Sequence, residues 1–342
     1  MIEKIDEISQ RKLLPTAATL HKALEPCIEN LLEETPALRP LDSNGMPGGI
    51  VHLPHDRLSI IIPDLHGRLE LIPRILRLPV PEPNDTSCPW TAETATPLHI
   101  ALDEGRAQLL FLGDYVHSER RALERWQQGL QEFINGYHQH KAMDQEMREN
   151  LGTLEILARL KTAYPEAVHM LKGNHENILD EEGRGNHPLG KFAYEGEMVA
   201  RYMEQFYHAR TIKLIDLFET NLPLLTTGNC FMASHAEPAR AYRYEEVLEY
   251  RQRPDITEGL TWTANDDSAP GSVETMLSEW LKEKCANDRP HYYFGGHRPI
   301  QGTYNLRAGG KYIQLHNPCC GIAAILSPAR EFFPEHDIYT FE

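Results

Sequence analysis

The 342-residue chain sets 50 acidic against 34 basic side chains, a formal charge of −16, and so lacks the excess of Lys and Arg with which a broad nucleic-acid-binding face neutralises phosphates. Only a local cationic pocket is compatible with that balance. Hydrophobic residues at 41 % and charged residues at 25 % are ordinary for a soluble globular protein and exclude global disorder.

In chain order, the opening MIEKIDEISQRKLL has no uninterrupted apolar core of a secretory signal. No later stretch approaches the roughly 18 to 20 continuous apolar residues that span a bilayer. The expectation is a cytoplasmic protein with no membrane partner. Residues 1–50 read as an N-terminal helical extension: a helix over Thr16–Glu34 with a kink or break at Pro26, then loop broken by Pro36, Pro40 and Pro47. Two more stretches read as cap-like insertions, a proline-rich surface loop at about 79–108 and a long solvated helix or cap at about 120–150. Helices are predicted at Leu151–Tyr164, Phe192–Arg210 and Ser272–Lys284 from apolar residues at three- and four-residue spacing. Chain length is compatible with a single domain, core about 51–330, grown by insertion. The six cysteines show no C-x-x-C pairing or zinc-finger spacing, and in a reducing compartment most read as small apolar residues, with a redox or metal role open only to the adjacent Cys319 and Cys320.

Between the helices, short apolar runs end on metal-capable residues. Leu58–Pro63 leads to Asp64, Leu109–Gly113 to Asp114, Val168–Leu171 to Asn174 and His175, Cys230–Ser234 to His235, and Tyr292–Gly296 to His297. Runs of four to six apolar residues suit strands buried on both faces, and their carboxyl ends converge at one rim of a sheet. Strand alternating with helix means an α/β fold. Singly, each ending is also what a turn or helix cap needs. Asp, His and Asn together offer oxygen and nitrogen ligands for Mn, Fe, Co or Zn without thiolates, and a carboxylate can bridge two cations about 3.5 to 4 Å apart.

The ordered series PDLHG, GDYVHSE, GNHE, SHAE and GGH resembles the calcineurin-like metallophosphoesterase superfamily, and within it the phosphoprotein phosphatase branch, over residues 58 to 325. The resemblance implies a sandwich of two mixed sheets flanked by helices with a dinuclear site at the strand ends. It implies two divalent ions, manganese first with iron, zinc or cobalt as alternatives, one held by Asp64 and His66, the other by Asn174, His235 and His297, with Asp114 bridging. GGHRP puts Pro299 where many members carry a second histidine, so the first ion is expected to keep an open position. His175 is implied as the general acid that protonates the leaving oxygen after a metal-bridging hydroxide attacks phosphorus.

Two departures stand out. GDYVHSE replaces GDYVDRG, so His117 stands where an aspartate pairs the catalytic histidine and Ser118 where an arginine holds phosphate. Arg298 and Arg120 are the candidates to replace that cation. The implied substrate is a phosphorylated molecule, a Ser/Thr phosphoprotein first and a nucleotide or dinucleoside polyphosphate second; a reading of another class is a binding or scaffold protein on the same fold. The sequence does not address the oligomeric state.

Overall fold

The computed structural model describes residues 1–85, 95–281 and 289–341. The strands, in chain order, are β1 (Ile50–His52), β2 (Leu58–Ile62), β3 (Pro79–Val80), β4 (Thr96–Pro97), β5 (Ala107–Phe111), β6 (Val168–Met170), β7 (Leu225–Gly228), β8 (Phe231–Ser234), β9 (Tyr292–Gly295), β10 (Asn305–Arg307), β11 (Tyr312–Gln314), β12 (Gly321–Leu326) and β13 (Ile338–Phe341). They form one mixed sheet in the order β1-β7-β8-β9-β11-β10, a second in the order β13-β12-β2-β5-β6, and the small hairpin β3-β4. Within the second sheet β2, β5 and β6 run parallel, and within the first β8, β9 and β11 do.

The period of two along a strand builds the layers. Ile61, Leu110, Phe231, Ala233, Phe294, Ile313 and Ala324 meet in one apolar cluster drawn from both sheets. Their neighbours Ile60, Ile62, Leu109 and Phe111 turn the other way and pack under helices. Likewise Met232, Tyr293 and Tyr312 pack on the far side of the first sheet. Every strand of this centre is covered on both faces, which is why the sequence shows continuous apolar runs rather than alternation. The result is the expected α/β sandwich.

Several boundaries differ from expectation. The first helix spans Ile2–Gln10, and the second, Ala17–Leu32, runs through Pro26 without ending. The stretch at 192–220 is two helices, Glu195–Phe206 and Ala209–Thr220. The helix predicted at Ser272–Lys284 is Ser272–Trp280, and residues 282–288 lie outside the described residues. Part of the 79–108 stretch is ordered as the β3-β4 hairpin and a helix over Leu98–Asp103, and its end is the central strand β5. Cys27, Cys319 and Cys320 are free, but Cys230 is disulfide-bonded, contrary to the reading of the cysteines as apolar filler; Cys88 and Cys285 lie outside the described residues. No helix among the described residues is long and apolar enough to cross a membrane.

The largest correction concerns 120–150. It forms a helix over Leu123–Ile134 and, after a turn, the first half of one long helix, Lys141–Ala163. Far from being solvated, Glu146, Glu149 and Asn150 are buried, because they meet the Tyr115–Glu119 turn from behind. Glu146 Oε1 accepts the Ser118 N–H at 2.8 Å, Asn150 Oδ1 accepts the His117 N–H at 3.1 Å, and Trp126 donates to the Ser118 carbonyl at 2.7 Å. The segment is a buttress, and does not cover the site.

At its far end the same helix is tied to the N-terminal segment by a buried ion network. Lys161 Nζ lies 2.6 Å from Glu34 Oε1 and 2.7 Å from the Pro165 carbonyl, and Arg39 Nη1 lies 3.1 Å from Glu34 Oε2. Burial alone would raise the Glu34 carboxyl, but Lys161 and Arg39 hold it below its ordinary value. Removing one partner of such a network strands a charge in the interior. Lys161→Met is expected to cost about 3–5 kcal/mol in urea unfolding, and the double variant Glu34→Gln/Lys161→Met to recover part of the loss.

Candidate metal centre and substrate cavity

Each parallel strand of the two sheets delivers its polar residue to the same rim. Asp64 and His66 follow β2, Asp114 follows β5, Asn174 and His175 follow β6, His235 follows β8 and His297 follows β9. His66, Asp114, His117 and His297 hold φ of 45°, 51°, 61° and 61°, a left-handed conformation that costs a non-glycine residue energy and recurs where function fixes the backbone. Gly296 has no room for a Cβ, which would run into the Asp64 carboxylate.

The side chains form three overlapping groups able to hold a cation: Asp64, His66 and His316; His66, Asp114 and His175; and Asp114, His235 and His297. Asp114 Oδ2 is 3.7 Å from His66 Nε2 and 3.3 Å from His235 Nε2, so it links the two ends. Asn174 Oδ1 lies 3.0 Å from His235 Nε2 and 2.9 Å from His297 Nδ1. The ring tautomers fit metal binding. His66 Nδ1 faces the carbonyls of Val116 (3.3 Å) and His117 (3.0 Å), and His235 Nδ1 faces that of Leu112 (3.1 Å). Nδ1 therefore carries the hydrogen in each, leaving the Nε2 lone pair to the centre, the arrangement that orients ligating imidazoles.

Asp64 Oδ1, His297 Nε2 and His316 Nδ1 are buried without a hydrogen-bond partner. Burial opposes ionisation of Asp114, yet His235 and His175 hold its carboxyl well below the ordinary range. In return, against burial, Asp114 and Asp64 push His235 up to about 9, so that without a cation Nε2 holds a proton, which a bound metal ion would displace. That much negative charge in a buried place calls for a compensating cation, and the unpartnered donor atoms fit one.

His316 is the residue that sequence reasoning missed as a ligand. It follows β11, its Nδ1 lies 3.6 Å from Asp64 Oδ2, and its Nε2 lies 2.9 Å from Glu119 Oε2. Glu119 thus fixes the ring so that Nδ1 points at the cluster. His316 thus stands beside Asp64 and His66, where an open position was expected, and comes from a different strand than the GGHRP segment. A weaker signal was present: Tyr312–Leu315, apolar except for Gln314, also ends on a histidine.

His175 lies half in the rim. Its N–H donates to Asp114 Oδ1 at 2.9 Å, and its Nδ1 is 3.2 Å from His117 Nδ1. Burial and then the neighbouring His66 push His117 down to about 4, so it is a neutral ring. Glu176 serves the backbone, accepting from the N–H groups of Asp114 (2.9 Å), Tyr115 (2.9 Å) and Gly173 (2.7 Å). Burial and Asp114 push its carboxyl up to about 7.

A cavity of about 330 Å³ opens on His66, Asp114, His117 and His175. The segment Pro188–Phe192 walls one side, and Trp262 and Arg298 also line it. Lys191 Nζ stands 3.5 Å from Glu119 Oε1. Arg120 is exposed and does not line the cavity. Arg121 and Arg125 are engaged instead with Ser118 and Glu149 at 2.7–2.9 Å. Lys191 is a second cation that the motifs did not single out.

Residues 59–318 match the calcineurin-like phosphoesterase family. Comparison with curated protein sequences finds no match. Among solved structures, the fold is similar to a protein serine/threonine phosphatase from Saccharomyces cerevisiae with similarity to human phosphatase PP5, at 15 % identity and a TM-score of 0.50, over 95 % of this chain and 88 % of that one. A putative diadenosine tetraphosphatase aligns at 15 % identity and a TM-score of 0.43, over 86 % of this chain and 97 % of that one. The cold-active protein tyrosine phosphatase of the psychrophile Shewanella sp. aligns at 13 % identity and 0.42, over 86 % and 82 %. At these identities the likeness is one of fold. With the matched segment holding every strand-end residue of the rim, the chain belongs to the calcineurin-like phosphoesterase family.

Proposed function

We propose that the protein hydrolyses phosphomonoesters at a dinuclear centre, with Asp64, His66 and His316 holding one divalent ion, Asn174, His235 and His297 the other, and Asp114 shared. The observation that carries this reading is the chain of three overlapping donor groups, two of which share Asp114 while the third joins them through His66, with His175 at the mouth of the cavity. Manganese is the proposed metal. Bound ions supply Lewis acidity toward the phosphoryl oxygens and lower the pKa of water.

The chain's own residues handle the leaving group. Burial pushes the His175 ring well below its ordinary value, with Asp114 opposing; when protonated, it donates Nε2–H to the departing oxygen, while His117 Nδ1 accepts the Nδ1–H. A neutral acceptor stabilises imidazolium less than a carboxylate does. Lys191 and Arg298, at the cavity mouth, attract the dianionic group.

The cavity's limited volume and its Phe192 and Trp262 lining support a small phosphate ester, with a nucleotide as the leading chemistry. A phosphoserine or phosphothreonine peptide is the second reading, supported by the exposure of Lys191 and Arg298 at the entrance. Metal-stripped protein resupplied with Mn²⁺ should regain hydrolysis of p-nitrophenyl phosphate and not of bis-p-nitrophenyl phosphate. Nucleoside monophosphates should then be turned over with higher kcat/KM than phosphopeptides; the reverse order would transfer the reading to phosphoprotein. No turnover of any ester by fully metal-loaded protein would leave the scaffold reading.

Four substitutions separate the roles. Asp114→Asn should reduce bound metal at both positions, and His316→Ala should lower metal content from about two to about one per chain by elemental analysis. His175→Asn should keep both ions while turnover falls by about 10² to 10⁴. In His117→Asp the carboxylate stabilises the imidazolium and raises the His175 pKa. Since activity needs the protonated acid and falls as pH rises through that pKa, the alkaline limb of the kcat profile should move to higher pH; a limb that stays put or moves down would remove His117 from the proton path.

A further inference from the structure

A second cavity of about 320 Å³ lies apart from the metal rim, with Lys172, Arg184, Asn186, Asn221 and Arg251 among its lining residues. The donors come from four separate stretches of chain. Arg184 is neutralised by Glu181 and, at 3.0 Å, by Asp216. Arg251 is different. Its Nη1 donates to the Pro47 carbonyl and its Nη2 to Asn221 Oδ1 at 2.9 Å, and its guanidinium stacks on Tyr250 at 4.7 Å. No carboxylate of the described residues comes within ion-pair distance of it; Arg39 adds a like charge nearby, and Asp42 offsets part of it from farther off. Lys172 spends one of its protons on the Glu176 carbonyl. Asn186 is 4 % exposed, and its Oδ1 has no partner although its Nδ2 donates to Glu181 at 3.2 Å.

A half-buried guanidinium with no carboxylate of the described residues at ion-pair distance, a further arginine and a lysine on the same cavity, and a buried amide oxygen unsatisfied among the described residues together suit an oxyanion that also carries a hydrogen-bond donor. We propose that this cavity binds a small phosphate-bearing metabolite, with the phosphate on Arg251 and Arg184 and a hydroxyl or amino group on Asn186 Oδ1. Donors from several segments suit a tetrahedral oxyanion, which accepts from many directions, better than a planar carboxylate met by one fork. The volume leaves space for more than the inorganic ion.

The position has a consequence for the metal rim. Residues 184 and 186 line this cavity and residues 188–192 line the other, so one short segment is a wall of both. Lys172 lies two residues before Asn174 and holds the Glu176 carbonyl. An occupant that orders Arg184 and Asn186 would fix Lys191 and Phe192 at the substrate side. This consequence, unlike binding itself, rests on the phosphomonoesterase reading.

The test is equilibrium dialysis of radiolabelled inorganic phosphate against the full Mn²⁺-loaded chain. Wild type is expected to hold two phosphates per chain, one at the metal rim and one here. Arg251→Gln and Arg184→Gln are each expected to hold one. Arg184 is about half exposed, so its variant should fold even if Arg251→Gln, checked by circular dichroism, does not. Variants that bind as many phosphates as wild type would overturn the proposal, as would wild type that binds none. A single wild-type phosphate retained in Arg184→Gln would place it at the metal rim and overturn the second site; one lost in that variant would uphold the second site while counting against the phosphatase reading.

Discussion

The structure depends on the placement of one buried carboxylate. Asp114 ends a central strand in a left-handed conformation, its N–H held by Glu176, one oxygen accepting from His175 and the other facing His66 and His235. An ionised carboxylate at that depth is tolerable only when positive charge surrounds it. The imidazoles, the amide of Asn174 and the tautomers set by backbone carbonyls follow from that requirement. The two sheets supply the geometry, because parallel strands in each bring their carboxyl ends to a common edge.

The altered second motif is rebuilt by neighbours. Where a carboxylate and an arginine are usual in the resemblance, His117 pairs with His175 through ring nitrogens and Ser118 joins Arg121, Arg125, Glu146 and Glu149 in a buried polar network. Glu119 orients His316 and stands next to Lys191. In the proposed reading the substitutions form a set: a neutral partner for the acid, an extra imidazole at the first cation position, and phosphate-attracting charge at Lys191 and Arg298.

Much of this was legible in the sequence, for a physical reason. Buried strands must be continuously apolar, so a polar residue at the end of one is conspicuous, and Asp64, Asp114, Asn174, His235 and His297 were read that way. His316 obeys the same rule, but its run, Tyr312–Leu315, is interrupted by Gln314, whose buried amide bonds Asn265 and the Arg298 carbonyl. The 120–150 stretch misled because its charges suggest solvent, whereas Glu146 and Glu149 are buried against arginines and a backbone N–H. Arg120 and Arg121 are adjacent in sequence yet differ in role, since only the second reaches Ser118 and Glu149. Long-range pairing of this kind leaves no periodic trace. Lys191 was hidden for a similar reason: it sits in a loop whose course is set by packing rather than by pattern.

The central claim is that Asp114 is shared between two cations, with His316 serving one of them. Anomalous diffraction from crystals grown with Mn²⁺ tests it directly. The account predicts two peaks within ligand distance of Asp114, one also bounded by Asp64, His66 and His316 and the other by Asn174, His235 and His297. A single peak, or two that do not both contact Asp114, would contradict it.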